Sequence, residues 1–148
     1  MKKMLAVLAA AAAFGGALAA GDSEAEVGRQ LLALERQAME GWLKGNPDSD
    51  LARSDATVVY IHPAAEKRLE GLAALTELFE RYRGRALFDS YEILDPKVQV
   101  SGDVAVLSFI LECRNGSATS RYDASEVYRH KNSEWRLIHA HWSKARTQ

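Results

Sequence analysis

The side chains best suited to chemistry stand mostly in the C-terminal half of this chain. The run Trp135-Arg136-Leu137-Ile138-His139-Ala140-His141-Trp142-Ser143 sets two imidazoles two positions apart. In a regular strand that spacing puts both on one face with Trp135 and Leu137, and leaves Arg136, Ile138, Ala140 and Trp142 on the other. Paired neutral histidines can ligate Zn²⁺ or Cu²⁺, but a site needs a third ligand, and Glu92 or Glu126 could supply it only under an assumed register. A sheet surface used for packing accounts for His139 and His141 more simply, and no cofactor is expected. Glu112 and Glu126 interrupt runs of apolar and aromatic residues. A carboxyl group desolvated there would have a raised pKa and could serve as a general acid or base, making these two the catalytic candidates. Pairing with Arg114 or Arg121 is the structural alternative. Tyr60, His62 and Tyr91 are candidate groups at a pocket mouth, with half-buried packing as their plain reading.

The elements that must position these residues follow from periodicity. Val27, Leu31, Leu34, Ala38 and Trp42 form one apolar stripe on a long helix over 24–44, stopped by Gly45-Asn46-Pro47. One helical turn fits 48–54, and a strand fits 57–62 before Pro63. A second amphipathic helix runs from Gly71 toward Gly84, with Leu72, Leu75, Phe79 and Tyr82 on one side. Strands follow: an extended segment over 86–100 bent at Asp95-Pro96, an apolar strand over 104–113, and a terminal hairpin turning at 131–134. Helices first and a meander last predict an α+β fold, with the long helix covering one face of a curved antiparallel sheet.

The chain has 148 residues, and its first 20 carry a different signal. Lys2 and Lys3 precede the apolar run from Met4 to Phe14, and Ala17-Leu18-Ala19 matches a cleavage site, so this stretch is expected to be a secretory signal peptide. Taking 20 from 148 leaves 128 residues, 21–148, enough for one domain with one core. The expected location is the periplasm or outside the cell, without membrane attachment after cleavage. Without Lys2 and Lys3, 17 basic side chains face 20 acidic ones, and no basic cluster or nucleic-acid motif appears, so nucleic acid is not an expected partner. Cys113 is the lone cysteine, which excludes an intrachain disulfide.

Four segments resemble a known family. They are Leu69-Glu70-Gly71-Leu72, Ile93-Leu94-Asp95-Pro96-Lys97-Val98 with Ser101-Gly102-Asp103, Val127-Tyr128-Arg129-His130, and the Trp135–Ser143 run. Their order resembles the nuclear transport factor 2-like (SnoaL-like, cystatin-like) superfamily, and most closely the association, or hub, domain of calcium/calmodulin-dependent kinase II and its bacterial relatives. The resemblance implies a cone-shaped sheet wrapped on the long helix and shorter helices. In the resembled hub, arginines lining the cone hold carboxylate ligands. Matched residue by residue, those positions fall on Glu112, Glu126 and Trp142 here, and a hub histidine falls on Leu75. A basic pocket is therefore expected to have become acidic and aromatic, suited to a cation or a neutral polar ligand. The expected ligand-binding set is Tyr60, His62, Tyr91, Glu112, Glu126 and Trp142.

Three functions stay open. The preferred one is an exported small-ligand-binding or sensing domain that self-associates as a homodimer or larger ring. An isomerase, dehydratase or hydrolase using Glu112 or Glu126 is the second, and a purely structural oligomerisation module is the third. Pocket content discriminates among them: two titratable groups within reach for an enzyme, open space for a binder, filled space for an assembly module.

Overall fold

The structure, a computed structural model, describes residues 22–145. The expected signal peptide lies outside the described residues. Helix α1 (Glu24–Leu43) opens with Ser23, whose hydroxyl accepts a hydrogen bond from the Glu26 amide, and with Glu24 and Glu26 in the first turn, where the helix dipole favours negative charge. It ends at Lys44 and Gly45. Gly45 adopts a φ of +67°, and a Cβ there would stand 2.5 Å from the Arg85 amide nitrogen, so only glycine lets these two loops touch. Helix α2 (Asp48–Arg53), strands β1 (Ser54–Ile61) and β2 (Leu69–Glu70), and helix α3 (Leu72–Glu80) follow. Strands β3 (Ser90–Ser101), β4 (Val104–Asn115), β5 (Ala118–Lys131) and β6 (Glu134–Lys144) complete the chain.

The six strands form one sheet in the order β2-β1-β6-β5-β4-β3. The terminal four make the expected meander, whereas β1 returns to lie parallel to β6. One sheet face carries Leu107, Phe109, Leu111, Ala124, Tyr128 and Leu137 against the helices, all of them buried. The Asp95-Pro96 bend is a bulge, since the pairing with β4 shifts between Leu94 and Lys97 and Asp95 takes a φ of +46°.

A second bulge overturns the simple alternation expected for β6. Tyr128 pairs with Leu137 and Val127 with His139, so Ile138 is an extra residue without a partner. Before it, Trp135 and Leu137 face the helices, with Trp135 Nε1 donating to Gln30 on α1. After it the inward parity passes to Ala140 and Trp142, and His139 and His141 turn to the outer face. The expected common surface of Trp135, Leu137, His139 and His141 is thereby split. One inserted residue flips every side chain beyond it.

Leu137 is thus a core residue. Leu137→Ala should cost about 2–5 kcal/mol in chemical denaturation, Leu137→Asp should fail to fold instead of merely dissociating an assembly, and His141→Ala should stay within about 0.5 kcal/mol of the parent.

Candidate functional site

A cavity of about 470 Å³ opens between the concave sheet face, the end of α1 and helix α3. Its inner wall is aromatic: Trp42, Tyr60, Phe79 and Trp142 are each buried to more than nine-tenths. Phe79 meets Trp42 and Tyr60 edge to face, with ring centres 5.0 and 5.5 Å apart. Toward solvent the rim passes through His62, Ala64, Asn115, Ser120 and Tyr122. The rim is tied together where the Gly116 amide donates to Asp89 Oδ2 at 2.6 Å and the Asp89 amide donates to the Arg114 carbonyl at 2.8 Å.

His62 stacks between Tyr60 and Tyr122, with ring centres 5.7 and 6.0 Å away. Its Nδ1 accepts a hydrogen bond from the Ala64 amide at 2.9 Å, which leaves the proton of the neutral ring on Nε2. Burial pulls its pKa down to about 4, against a smaller opposing pull from Asp50, so the imidazole is uncharged at neutral pH. Burial, with the charge of Asp50, also keeps the Tyr60 phenol protonated. The cavity therefore offers neutral donors on an aromatic wall.

Beneath this wall lies a buried ionic cluster centred on Arg53. Its Nε donates to Asp50 Oδ1 at 2.8 Å, its Nη2 to Glu126 Oε1 at 3.1 Å, and its Nη1 to Glu35 Oε2 and to the Tyr128 hydroxyl. Tyr128 in turn donates to Glu126 Oε2 at 2.7 Å, and Trp42 Nε1 donates to Asp50 Oδ2 at 3.0 Å. Burial opposes the guanidinium charge, but Asp50, Glu126 and Glu35 outweigh it and hold the pKa above its ordinary value. One cation cannot balance three carboxylates. Burial pushes the Glu35 carboxyl well above the usual range, with Arg53 opposing the rise and Glu126 and Asp50 adding to it. Among the described residues the buried Glu35 Oε1 has no hydrogen-bond partner.

Of the six residues expected to bind ligand, Tyr60, His62 and Trp142 do come together on the cavity. Glu126 is fully buried in the Arg53 cluster and does not border the space. Glu112 corrects the assumed register more plainly. Its neighbours Leu111 and Cys113 line the cavity, so its own side chain points through the opposite sheet face, where bonds from Arg114 and Arg121 hold its pKa below the usual range. Tyr91 belongs to a separate depression beside α1 and donates to Glu40 at 3.0 Å. Leu75 is plain core. His139 and His141 stand on the outer face, and among the described residues no third ligand completes a metal site with them.

Sequence reasoning missed Glu35, Asp50 and Arg53. Glu35 did leave a signal, standing four residues after Leu31 and four before Met39 on the buried face of α1. An acidic residue in that position requires a buried partner. Asp50 and Arg53, three apart in a helix of six residues, carried no comparable pattern.

Comparison with known proteins agrees with this architecture. Residues 44–147 match the SnoaL-like domain family, and the chain belongs to it. A solved protein from Parabacteroides distasonis ATCC 8503, assigned provisionally as a ketosteroid isomerase, is 30% identical with a TM-score of 0.67, over 78% of this chain and 86% of that one. A protein of unknown function from Pseudomonas putida KT2440 with the nuclear transport factor 2-like fold gives a TM-score of 0.73 at 23% identity, over 83% and 89%. The calcium/calmodulin-dependent kinase II association domain of C. elegans gives 0.67 at 18% identity, over 83% and 99%. No curated protein matches the chain. The nuclear transport factor 2-like superfamily and its α+β cone are thereby established, with hub association domains among the structural neighbours.

Two outcomes follow from the cluster and from His62. Arg53→Met should lower the unfolding free energy by about 3–5 kcal/mol or more, because it strands buried carboxylates, whereas Glu35→Gln, which imitates the protonated acid, should fold and match the parent near neutral pH. Urea titrations of both variants measure this. Because folding depresses the His62 pKa, its contribution is complete above pH 6.5 and is lost as pH falls toward about 4. That loss is on the order of 3 kcal/mol. Glu35 acts with the opposite sign, contributing below pH 4.5 and losing that contribution as pH rises through its elevated folded value. The difference between parent and His62→Gln stability curves isolates the histidine, and should slope between pH 4 and 6.5 and be flat above.

Proposed function

We propose that this chain is an exported small-molecule-binding domain that self-associates through its sheet. The observation that carries the binding half is the cavity of about 470 Å³, which is aromatic on its inner wall and open at its rim. Its size falls within the range of small-ligand sites. Tyr60 and His62 supply oriented polar groups, so a mostly apolar body with one or two polar atoms fits best.

An acid–base enzyme is the second reading, favoured by the presence of Asp50, Tyr60 and the His62 Nε2–H around one cavity and by the likeness to the P. distasonis protein. Glu112 and Glu126 are not placed to touch a substrate there. The phenol and imidazole would polarise a carbonyl as hydrogen-bond donors. Asp50, the remaining basic group, already accepts bonds from Arg53 and Trp42.

Self-association is supported by the likeness to hub association domains and by the outer sheet face. Leu94, Val106, Ile110, Val127 and Ile138 reach that face half-buried, on strands that the helices cover from the other side only. A second copy would cover them in a symmetric contact. Export rests on the sequence of residues 1–20, and intact-mass measurement of secreted material should find a mature start near Gly21.

Ser120→Trp, at the exposed rim, should leave the melting transition in place and abolish thermal-shift responses to apolar small molecules that stabilise the parent. Ile110→Asp should convert the assembly seen by sedimentation velocity to monomer and leave those responses intact. A parent that is monomeric at micromolar concentration would remove the assembly half of the reading.

A further inference from the structure

We infer that the cavity selects a monovalent organic cation, an amine or quaternary ammonium on a hydrocarbon body, with Asp50 as its counter-ion. The inference rests on the reading of this cavity as a ligand site and adds the ligand's charge.

Three independent observations bear on that charge. Among the described residues lining the cavity, Asp50 is the one charged side chain, and no lysine or arginine borders the space. Asp50 is also part of a cluster in which a single guanidinium serves three carboxyl groups. The carboxyl groups of Glu35, Asp50 and Glu126 outnumber the Arg53 guanidinium, so the cluster carries an excess of acidic over basic groups. That excess lies in a poorly screened interior, where an incoming anion would be repelled and an incoming cation would restore neutrality. Asp50 spends one bond on each oxygen, to Arg53 and to Trp42, and a carboxylate has lone pairs for more.

The third observation is the wall itself. Trp42, Tyr60, Phe79, Tyr122 and Trp142 surround the space, and the electron-rich faces of such rings attract a cation while their carbon surface accommodates its hydrocarbon part. His62, uncharged at neutral pH, adds no opposing charge. Aromatic enclosure with a carboxylate behind it is the chemistry that recognises alkylammonium groups in water, where a bare carboxylate alone would lose to hydration.

A matched series tests this by titration calorimetry on the purified chain at neutral pH: 3-phenylpropylammonium, 3-phenylpropanol and 3-phenylpropanoate, which differ in charge at nearly constant shape. The ammonium should bind about tenfold or more tightly than the alcohol, and the carboxylate should not bind measurably. Asp50→Asn should erase the preference for the ammonium and leave the alcohol's affinity unchanged. Should Asp50→Asn not fold, Phe79→Leu, which removes one aromatic face and keeps the core filled, should weaken the ammonium more than the alcohol. Binding of the alcohol or the carboxylate as tightly as the ammonium overturns the charge assignment and leaves the cavity a ligand site. Failure of all three to bind overturns the ligand-site reading and the charge assignment together.

Discussion

Arg53 is the cation that joins the layers of this protein. Its guanidinium reaches Glu35 on α1, Asp50 on α2, and Glu126 and Tyr128 on β5, so one planar fork connects the long helix, the short helix and the centre of the sheet. Its five donors suit a site with several acceptors in different directions, which a lysine ammonium could not serve in the same geometry. Desolvating such a cluster is expensive, and an apolar core of equal volume could be as stable. The direction of its excess charge gives it a second consequence: Asp50 stands both in the cluster and on the cavity wall.

The cavity lies between α3 and the sheet face carried by β1, β4, β5 and β6. Bulges at Asp95-Pro96 in β3 and at Ile138 in β6 introduce extra residues that bend their strands, and β1 completes the wall through its parallel pairing with β6. The β6 bulge also aims side chains. It keeps Leu137 in the core under Tyr128 and then delivers Ala140 and Trp142 to the same face, with Trp142 edge-on to Phe109 at 5.4 Å. Without it, His139 and His141 would occupy the wall and Trp142 the outer surface.

Members of one superfamily can keep this cone and change what it holds, because the wall is made of side chains on a few strands and the scaffold tolerates their exchange. Likeness to a hub domain and to a provisionally assigned isomerase therefore says more about the backbone than about the ligand. Among the described residues no lysine or arginine lines this wall, its carboxylate is supported from behind by Arg53, and its histidine is neutral. The Glu112 side chain, which a strict correspondence with the hub would put inside, sits outside between two arginines.

By itself the sequence determined the order of the helices and long strands, the extent of α1, the meander and the bend at Asp95-Pro96, since each rests on local periodicity or on residues that punctuate it, while the superfamily was legible as a resemblance of four segments; α3 stops at Glu80, short of the expected Gly84, and the two-residue β2 was not foreseen. It also placed Tyr60, His62 and Trp142 among the ligand candidates. Only the tertiary structure decided which carboxylates matter. Glu126 was visible as an anomaly in an apolar strand, yet its partner Arg53 lies 73 positions away, and nothing local records a contact at that range. The inward or outward sense of β6 was equally hidden: Ile138 has the composition of an ordinary strand residue, and its status as a bulge appears only when β5 is laid alongside and one residue is left without a partner. Periodicity is a property of a segment, whereas register and ion pairing belong to two segments together, which is why the elements could be read along the chain and the identity of the carboxylate on the cavity wall could not.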